Sequence, residues 1–307
     1  MPVASKRAPC AVVIAAVAWW LGAGLPARAD IAVVASIPPV HSLAAMVMAG
    51  AGAPDLLLPA GVSPHGFTLS PSQARRLAGA RVVFWIGPAL EAALVRPLAN
   101  VVADARAVPL MDTPGLTLHA VRNGHGRDHG HSPDHGRTDP HLWLDPANAR
   151  RLVARMAEVL ARADTANADR YAANAAAAAG RLDDLARRLE ARLAPVRDRP
   201  FVVFHDAFQY LERRFGLAFA GALTIDPELP PGPRKVAELR QRLERQGVRC
   251  LFTEPQFQSR LTDVLVEGTG AKIGRLDPLG AGMRPGPDLY IQLLDTNADA
   301  LVACLRP

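Results

Sequence analysis

The sequence predicts an α/β protein: two βα-sandwich lobes with mainly parallel sheets, joined by a long connecting helix. Three observations predict it. Short apolar, β-branched runs alternate with helical patterns in the first third of the chain, the same alternation returns in the last third, and the stretch between them is almost entirely helix formers. Alternating strands and helices imply βαβ units, whose crossovers cover both faces of a parallel sheet. A chain of 307 residues suits one large or two ordinary domains.

The elements follow in order. IAVVAS (31–36) reads as a buried strand, followed by a helix from Val40 to Met48. LLLP (56–59) and RVVFWIG (81–87) are further buried strands, separated by a helical pattern after Pro71. From Pro146 to Leu193 Ala, Arg and Leu dominate, and no further proline interrupts the run. Leu182, Leu185, Leu189 and Leu193 recur at spacings of three and four, an apolar stripe on one helix face. The strand grammar then returns in FVVF (201–204), LAFAGAL (217–223), CLFTE (250–254) and AKIGRL (271–276). The division that follows is an N-terminal lobe (30–165), a connecting helix (166–194) and a C-terminal lobe (195–307). One stiff connecting helix implies little closure between lobes. A continuous α/β domain with an inserted helical hairpin is the alternative.

The first 29 residues read as a secretory signal. Lys6 and Arg7 give a basic start, Ala11 to Leu25 is apolar, and Ala27-Arg28-Ala29 is an A-x-A cleavage site. Cys10 precedes the apolar stretch, where no lipid-attachment cysteine belongs. Removing this segment lowers the nominal +6 charge to about +3. That mild excess, with Arg187, Arg188 and Arg192 neighboured by Asp183, Asp184 and Glu190, is not a nucleic-acid footprint. The cysteines beyond the signal are Cys250 and Cys304, and an even count outside the cytosol favours a disulfide.

Histidine carries the chemistry. Residues 119–137 hold five of the nine (His119, His125, His129, His131, His135) among Gly, Asp, Ser and Arg, a low-complexity loop with nothing to form a core. The other four are His41, His65, His141 and His205. His65 and His205 follow buried strands, and ligands of open α/β sheets bind beyond the carboxyl ends of strands. Neutral imidazoles suit zinc, which takes three or four ligands held tetrahedrally. His65, His141, His205 and Asp277 are 76, 64 and 72 residues apart, so only the fold could unite them.

PAGVSPHGFTLSPSQARRL, DPHLWLDPANAR, FHDAFQYLERRFG, CLFTEPQF and LDPLG, in this order, closely resemble the zinc-specific solute-binding proteins of ABC importers. The match runs through the chain beyond the signal. It implies two lobes joined by a spanning helix, metal in the cleft between them, and a non-enzymatic, monomeric periplasmic protein that delivers Zn²⁺ to a membrane permease. By position, His65, His141 and His205 match the family's three histidine ligands, and Asp277 matches a fourth-ligand aspartate of many relatives. Cys250 and Cys304 match a C-lobe disulfide of zinc members, and the His-rich loop is another family habit. Pro64 stands where some members have a glutamate, which leaves the fourth ligand open between Asp277, a water and His41. His205 favours zinc, because manganese and iron relatives tend to carry a carboxylate there. The loop reads either as a solvated tether or as a weak zinc collector. Rival readings are a manganese- or iron-binding protein, an adhesin on the same scaffold, and a zinc hydrolase. H-E-x-x-H, G-x-S-x-G and phosphate-binding glycine loops are absent from the sequence.

Overall fold

A computed structural model describes residues 1, 31–101, 107–122, 138–229, 231–257 and 260–306. Residues 2–29 of the expected signal and His125, His129, His131 and His135 lie outside the described residues. The first lobe contains β1 (Val33–Ala35), α1 (Pro38–Val47), β2 (Asp55–Leu56), α2 (Pro71–Gly79), β3 (Val82–Trp85), α3 (Val95–Val101) and β4 (Ala107–Pro109). Two long helices follow, α4 (Pro146–Ala163) and α5 (Ala168–Leu193). The second lobe contains β5 (Phe201–His205), α6 (Gln209–Phe215), β6 (Phe219–Thr224), α7 (Pro233–Arg245), β7 (Cys250–Thr253), α8 (Arg260–Val266), β8 (Lys272–Arg275) and α9 (Leu289–Leu305).

Each lobe builds a four-stranded parallel sheet, in the orders β2-β1-β3-β4 and β6-β5-β7-β8. Both sheets reverse direction of winding beside their first strand, which opens a crevice at the carboxyl edge there. Along β5 the side chains alternate, Phe201 and Val203 entering one core and Val202 and Phe204 another, as a strand buried on both faces requires. Sequence reading did not anticipate β4. It is a three-residue edge strand ending in Pro109, and proline is tolerated where no further ladder donor is needed.

Local signals set the helix starts. Ser70 and Gln73 form a reciprocal capping box on α2, and Asp145 accepts from Ala147 N–H to cap α4, each followed by proline at the first helical position. The run of helix formers breaks at Asp164, whose backbone leaves the helical region and whose carboxylate accepts from Asn167 (2.7 Å) and Tyr171 (2.8 Å). Tyr171, Ala178, Leu182, Leu185, Leu189 and Leu193 are buried on one face of α5. Truncating one of these leucines to alanine costs about 2–5 kcal/mol at such fully buried sites.

The larger core does not stop at a lobe boundary. Phe84 of the first sheet, Leu189 of α5, Tyr290 of α9 and Phe252 of the second sheet belong to one continuous cluster. Tyr290 fastens the lobes further. Its N–H donates to Ser42 Oγ (3.0 Å) and its hydroxyl to the Trp143 carbonyl (2.6 Å), while Trp143 Nε1 donates to the Pro278 carbonyl (2.9 Å). Cys250 in β7 is disulfide-bonded to Cys304 in α9.

Candidate metal centre

Three histidines from three separate elements converge between the lobes. His65 lies on the loop between β2 and α2, His141 opens a short turn of 3₁₀ helix at Leu142–Leu144 before α4, and His205 ends β5. One ring nitrogen of each lies within 4.8 Å of the other two. The ring centroids stand 5.3 Å (His65–His141), 5.0 Å (His65–His205) and 4.9 Å (His141–His205) apart. The Nε2 atoms of His65 and His141 are 3.3 Å apart. This is the one such group of three metal-ligating side chains among the described residues.

Carboxylates orient two of the rings from behind. Asp139 Oδ1 accepts from His141 N–H (3.0 Å) and from His141 Nδ1 (2.8 Å), leaving Nε2 to face the cluster. Glu254, immediately after β7, lies with Oε1 3.2 Å from His205 Nδ1, both side chains 2% exposed. His205 Nε2 is buried with no hydrogen-bond partner among the described residues. An imidazole held through Nδ1 by a carboxylate presents a fixed, more basic Nε2, the usual arrangement of a metal-ligating histidine. His205 and Glu254 follow adjacent strands β5 and β7, at the crevice of the second sheet.

The electrostatics suit a cation. Burial, then the neighbouring His141 and His205, pushes His65 down to about 2, which favours the neutral imidazole. Burial also opposes a charge on His205, but the carboxylates of Glu254, first, and of Asp206 and Asp139 together outweigh it and raise that imidazole. Burial opposes ionisation of Asp139, and its hydrogen bonds from His141 and Gln209 overcome this and lower it. Pro64, Trp143, Phe257 and Leu279 close a cavity of about 10 Å³ around the rings. That is room for one ion or one water. The Glu228 side chain of the second lobe lies over Gly66, beside His65; a Cβ there would stand 3.0 Å from Glu228 Cδ.

The two remaining candidates stand elsewhere. Asp277, expected as fourth ligand, is not in the cluster. Its Oδ1 accepts from Leu279 N–H (2.9 Å), Gly280 N–H (3.0 Å) and Gln256 Nε2 (3.1 Å), and its other oxygen from Ala281 N–H. Those bonds make it the cap of the turn after β8. His41 is buried on α1 with Nε2 2.9 Å from the Pro54 carbonyl, also outside the cluster. Sequence reading missed Asp139, although Asp-x-His within TDPHLWLDP places a carboxylate two residues from a ligand candidate. It gave Glu254 no part in the site, because nothing local to β7 reveals that β5 runs beside it.

Among known proteins, residues 33–304 match the family described as ZnuA, zinc-uptake complex component A, periplasmic. The high-affinity zinc uptake system protein ZnuA of Brucella abortus is 39% identical over 304 aligned residues, covering 89% of this chain and 91% of that one. Its namesake in Paracoccus denitrificans is 38% identical, with 97% and 98% covered. A crystal structure of ZnuA shares the fold with a TM-score of 0.78 at 24% identity, over 91% of this chain and all of that one. The two-sheet architecture, the converging histidines and these likenesses agree: the chain belongs to the ZnuA family of periplasmic zinc-uptake components.

Proposed function

We propose that this protein captures Zn²⁺ outside the cytosol and delivers it to the membrane permease of an ABC importer, with His65, His141 and His205 as its protein ligands. The observation that carries the reading is the convergence of three imidazoles, His141 and His205 buried and His65 partly so, in a chain of a zinc-uptake family. Three neutral nitrogen donors suit Zn²⁺, whereas Mn²⁺ and Mg²⁺ prefer carboxylate oxygen. Zinc is cargo here, and no chemistry is required of it. A hydrolase needs space for an organic substrate beside the metal, and a cavity of about 10 Å³ offers none. We assign the fourth coordination position to water, since the Asp277 oxygens already accept four hydrogen bonds.

Binding then proceeds by exchange of a proton for a metal. His65 is neutral on arrival of the ion, while His205, raised by Glu254, releases its proton to the cleft. Affinity therefore rises with pH across the range in which His205 deprotonates.

Calorimetry with a competing chelator tests the assignment. His65→Ala, His141→Ala and His205→Ala should each weaken zinc by more than the about 10–100-fold that loss of an outer partner costs. Asp277→Ala should lower stability by loosening its turn, yet hold zinc affinity within about tenfold of wild type, below that outer-partner range's upper limit. Unchanged affinity in any histidine variant would remove that residue from the ligand set.

A further inference from the structure

Residues 119–122 and 138–139 form a strap that carries both ends of the segment 123–137. Ala120 bridges Thr138 in antiparallel fashion, and Asp139 N–H donates to the His119 carbonyl (2.8 Å). The strap lies against α6, the helix that follows the His205 strand. The Tyr210 hydroxyl accepts from His119 N–H (3.2 Å) and donates to the Asp139 carbonyl (2.8 Å). Gln209 Nε2 donates to the Ala120 carbonyl (3.0 Å) and to Asp139 Oδ2 (3.0 Å).

Arg122 closes this arrangement. Its guanidinium pairs with Asp206 Oδ1 (2.6 Å) and with Glu212, and stacks 3.7 Å from the centroid of the Phe219 ring. The two carboxylates are 6% and 2% exposed. Burial alone strongly disfavours two carboxylates so close to one another, and it raises Glu212 to about 8 even beside the guanidinium. Among the described residues Arg122 is the cation paired with both. Of the arginines on α6, Arg213 donates to Gln209 and Arg214 pairs with Asp145. A planar guanidinium can serve two carboxylates and an aromatic face at once.

The strap also reaches the metal centre. The Asp139 that Gln209 and Tyr210 hold is the one that accepts from the backbone N–H and Nδ1 of His141. A chain of contacts thus runs from Arg122 through the strap and Asp139 to His141. We propose that Arg122 is a positioning residue for zinc capture: by tying the strap to α6 it fixes Asp139, and through Asp139 the orientation in which His141 Nε2 faces the other imidazoles. The inference rests on the ligand set proposed above.

Arg122→Met tests it, since methionine keeps apolar cover over Phe219 and removes only the cation; Arg122→Lys restores the charge. Full-length chains are compared by chelator competition and by the visible absorption of the Co²⁺-loaded form, whose band intensity reports coordination number. Arg122→Met should bind zinc about tenfold more weakly, the lower end of what outer partners of a ligand contribute. Its Co²⁺ bands should lose intensity as tetrahedral coordination is diluted by higher-coordinate forms. Arg122→Lys should recover most of both. If Arg122→Met fails to fold, Arg122→Met/Asp206→Asn/Glu212→Gln removes both carboxylates left without their cation and takes its place. Wild-type affinity, or weakened affinity with an unchanged Co²⁺ spectrum, overturns the proposal and leaves Arg122 a structural residue. His141→Ala is the companion measurement: if it binds zinc as wild type does, the ligand set itself fails. If it loses zinc while Arg122→Met does not, only the positioning role is lost.

Discussion

Glu254→Gln isolates what one buried carboxylate contributes to zinc capture. The substitution conserves shape and leaves an amide beside His205 Nδ1, where a carboxylate oxygen stood 3.2 Å away at 2% exposure. Removing an outer carboxylate from a metal-bound histidine costs about 10–100-fold in affinity, or about 1.4–2.7 kcal/mol. Glutamine retains a carbonyl acceptor, so the expected loss at pH 8 is about tenfold, at the lower end of that range. The pH dependence carries a second signature. Glu254 raises His205 against the effect of burial, so in wild type protons compete for Nε2 from a higher pH. Without the carboxylate, burial prevails and His205 falls, so zinc affinity in Glu254→Gln holds to lower pH. The gap between the two proteins should narrow as pH drops from 8 to 5.5. The same raised imidazole adds to folding stability of the metal-free protein below about 6.5, and that contribution is lost as pH rises through its folded-state value. Chelator-competition titrations across this range provide the assay. Equal affinities at every pH, or a loss as deep as that of His205→Ala, would refute the role given to Glu254.

Reducing the Cys250–Cys304 bond should destabilise the chain by about 4 kcal/mol on the chain-entropy model for a loop of this length. Denaturant midpoints with and without reductant measure it, and coincident midpoints would exclude a stabilising bond. Glu91→Gln should flatten the fall of stability between about pH 4.5 and 7. Burial raises Glu91 to about 7 from 4.5, so its contribution is complete below 4.5 and disappears as pH rises through 7. The variant should match wild type near pH 4 and exceed it at pH 8 by up to about 3 kcal/mol; identical pH profiles would show that Glu91 ionises without penalty.

Periodicity made most of the fold legible, because buried parallel strands are continuous apolar runs and α5 repeats its leucines at helical spacing. The edge strand β4 was illegible for the same reason: three residues ending in proline carry no period. The three histidines could be named from motifs, while their meeting depends on contacts across 64 and 76 residues that no local pattern encodes. Asp277 shows the limit of reading by position. It sits at the strand end where a ligand belongs, but the backbone N–H groups of the following turn engage its oxygens. Arg122 was illegible because its significance lies in two acids 84 and 90 residues away.

The core that runs from Phe84 through Leu189 and Tyr290 to Phe252 bears on how cargo is let go. Proteins that grip by folding two halves together can release by swinging them apart. Here such a swing would tear apolar contacts from one undivided interior, together with the Tyr290 bonds to Ser42 and Trp143. The trap is therefore set to size before the ion arrives, and unloading falls to a part that can yield without breaking that interior. His65 is the least buried of the three histidines and rides on a loop, between β2 and α2, rather than on the shared frame. On the ligand set proposed above, a permease that pulled this one loop aside would leave the ion on two imidazoles, and the shared interior would stay as it was.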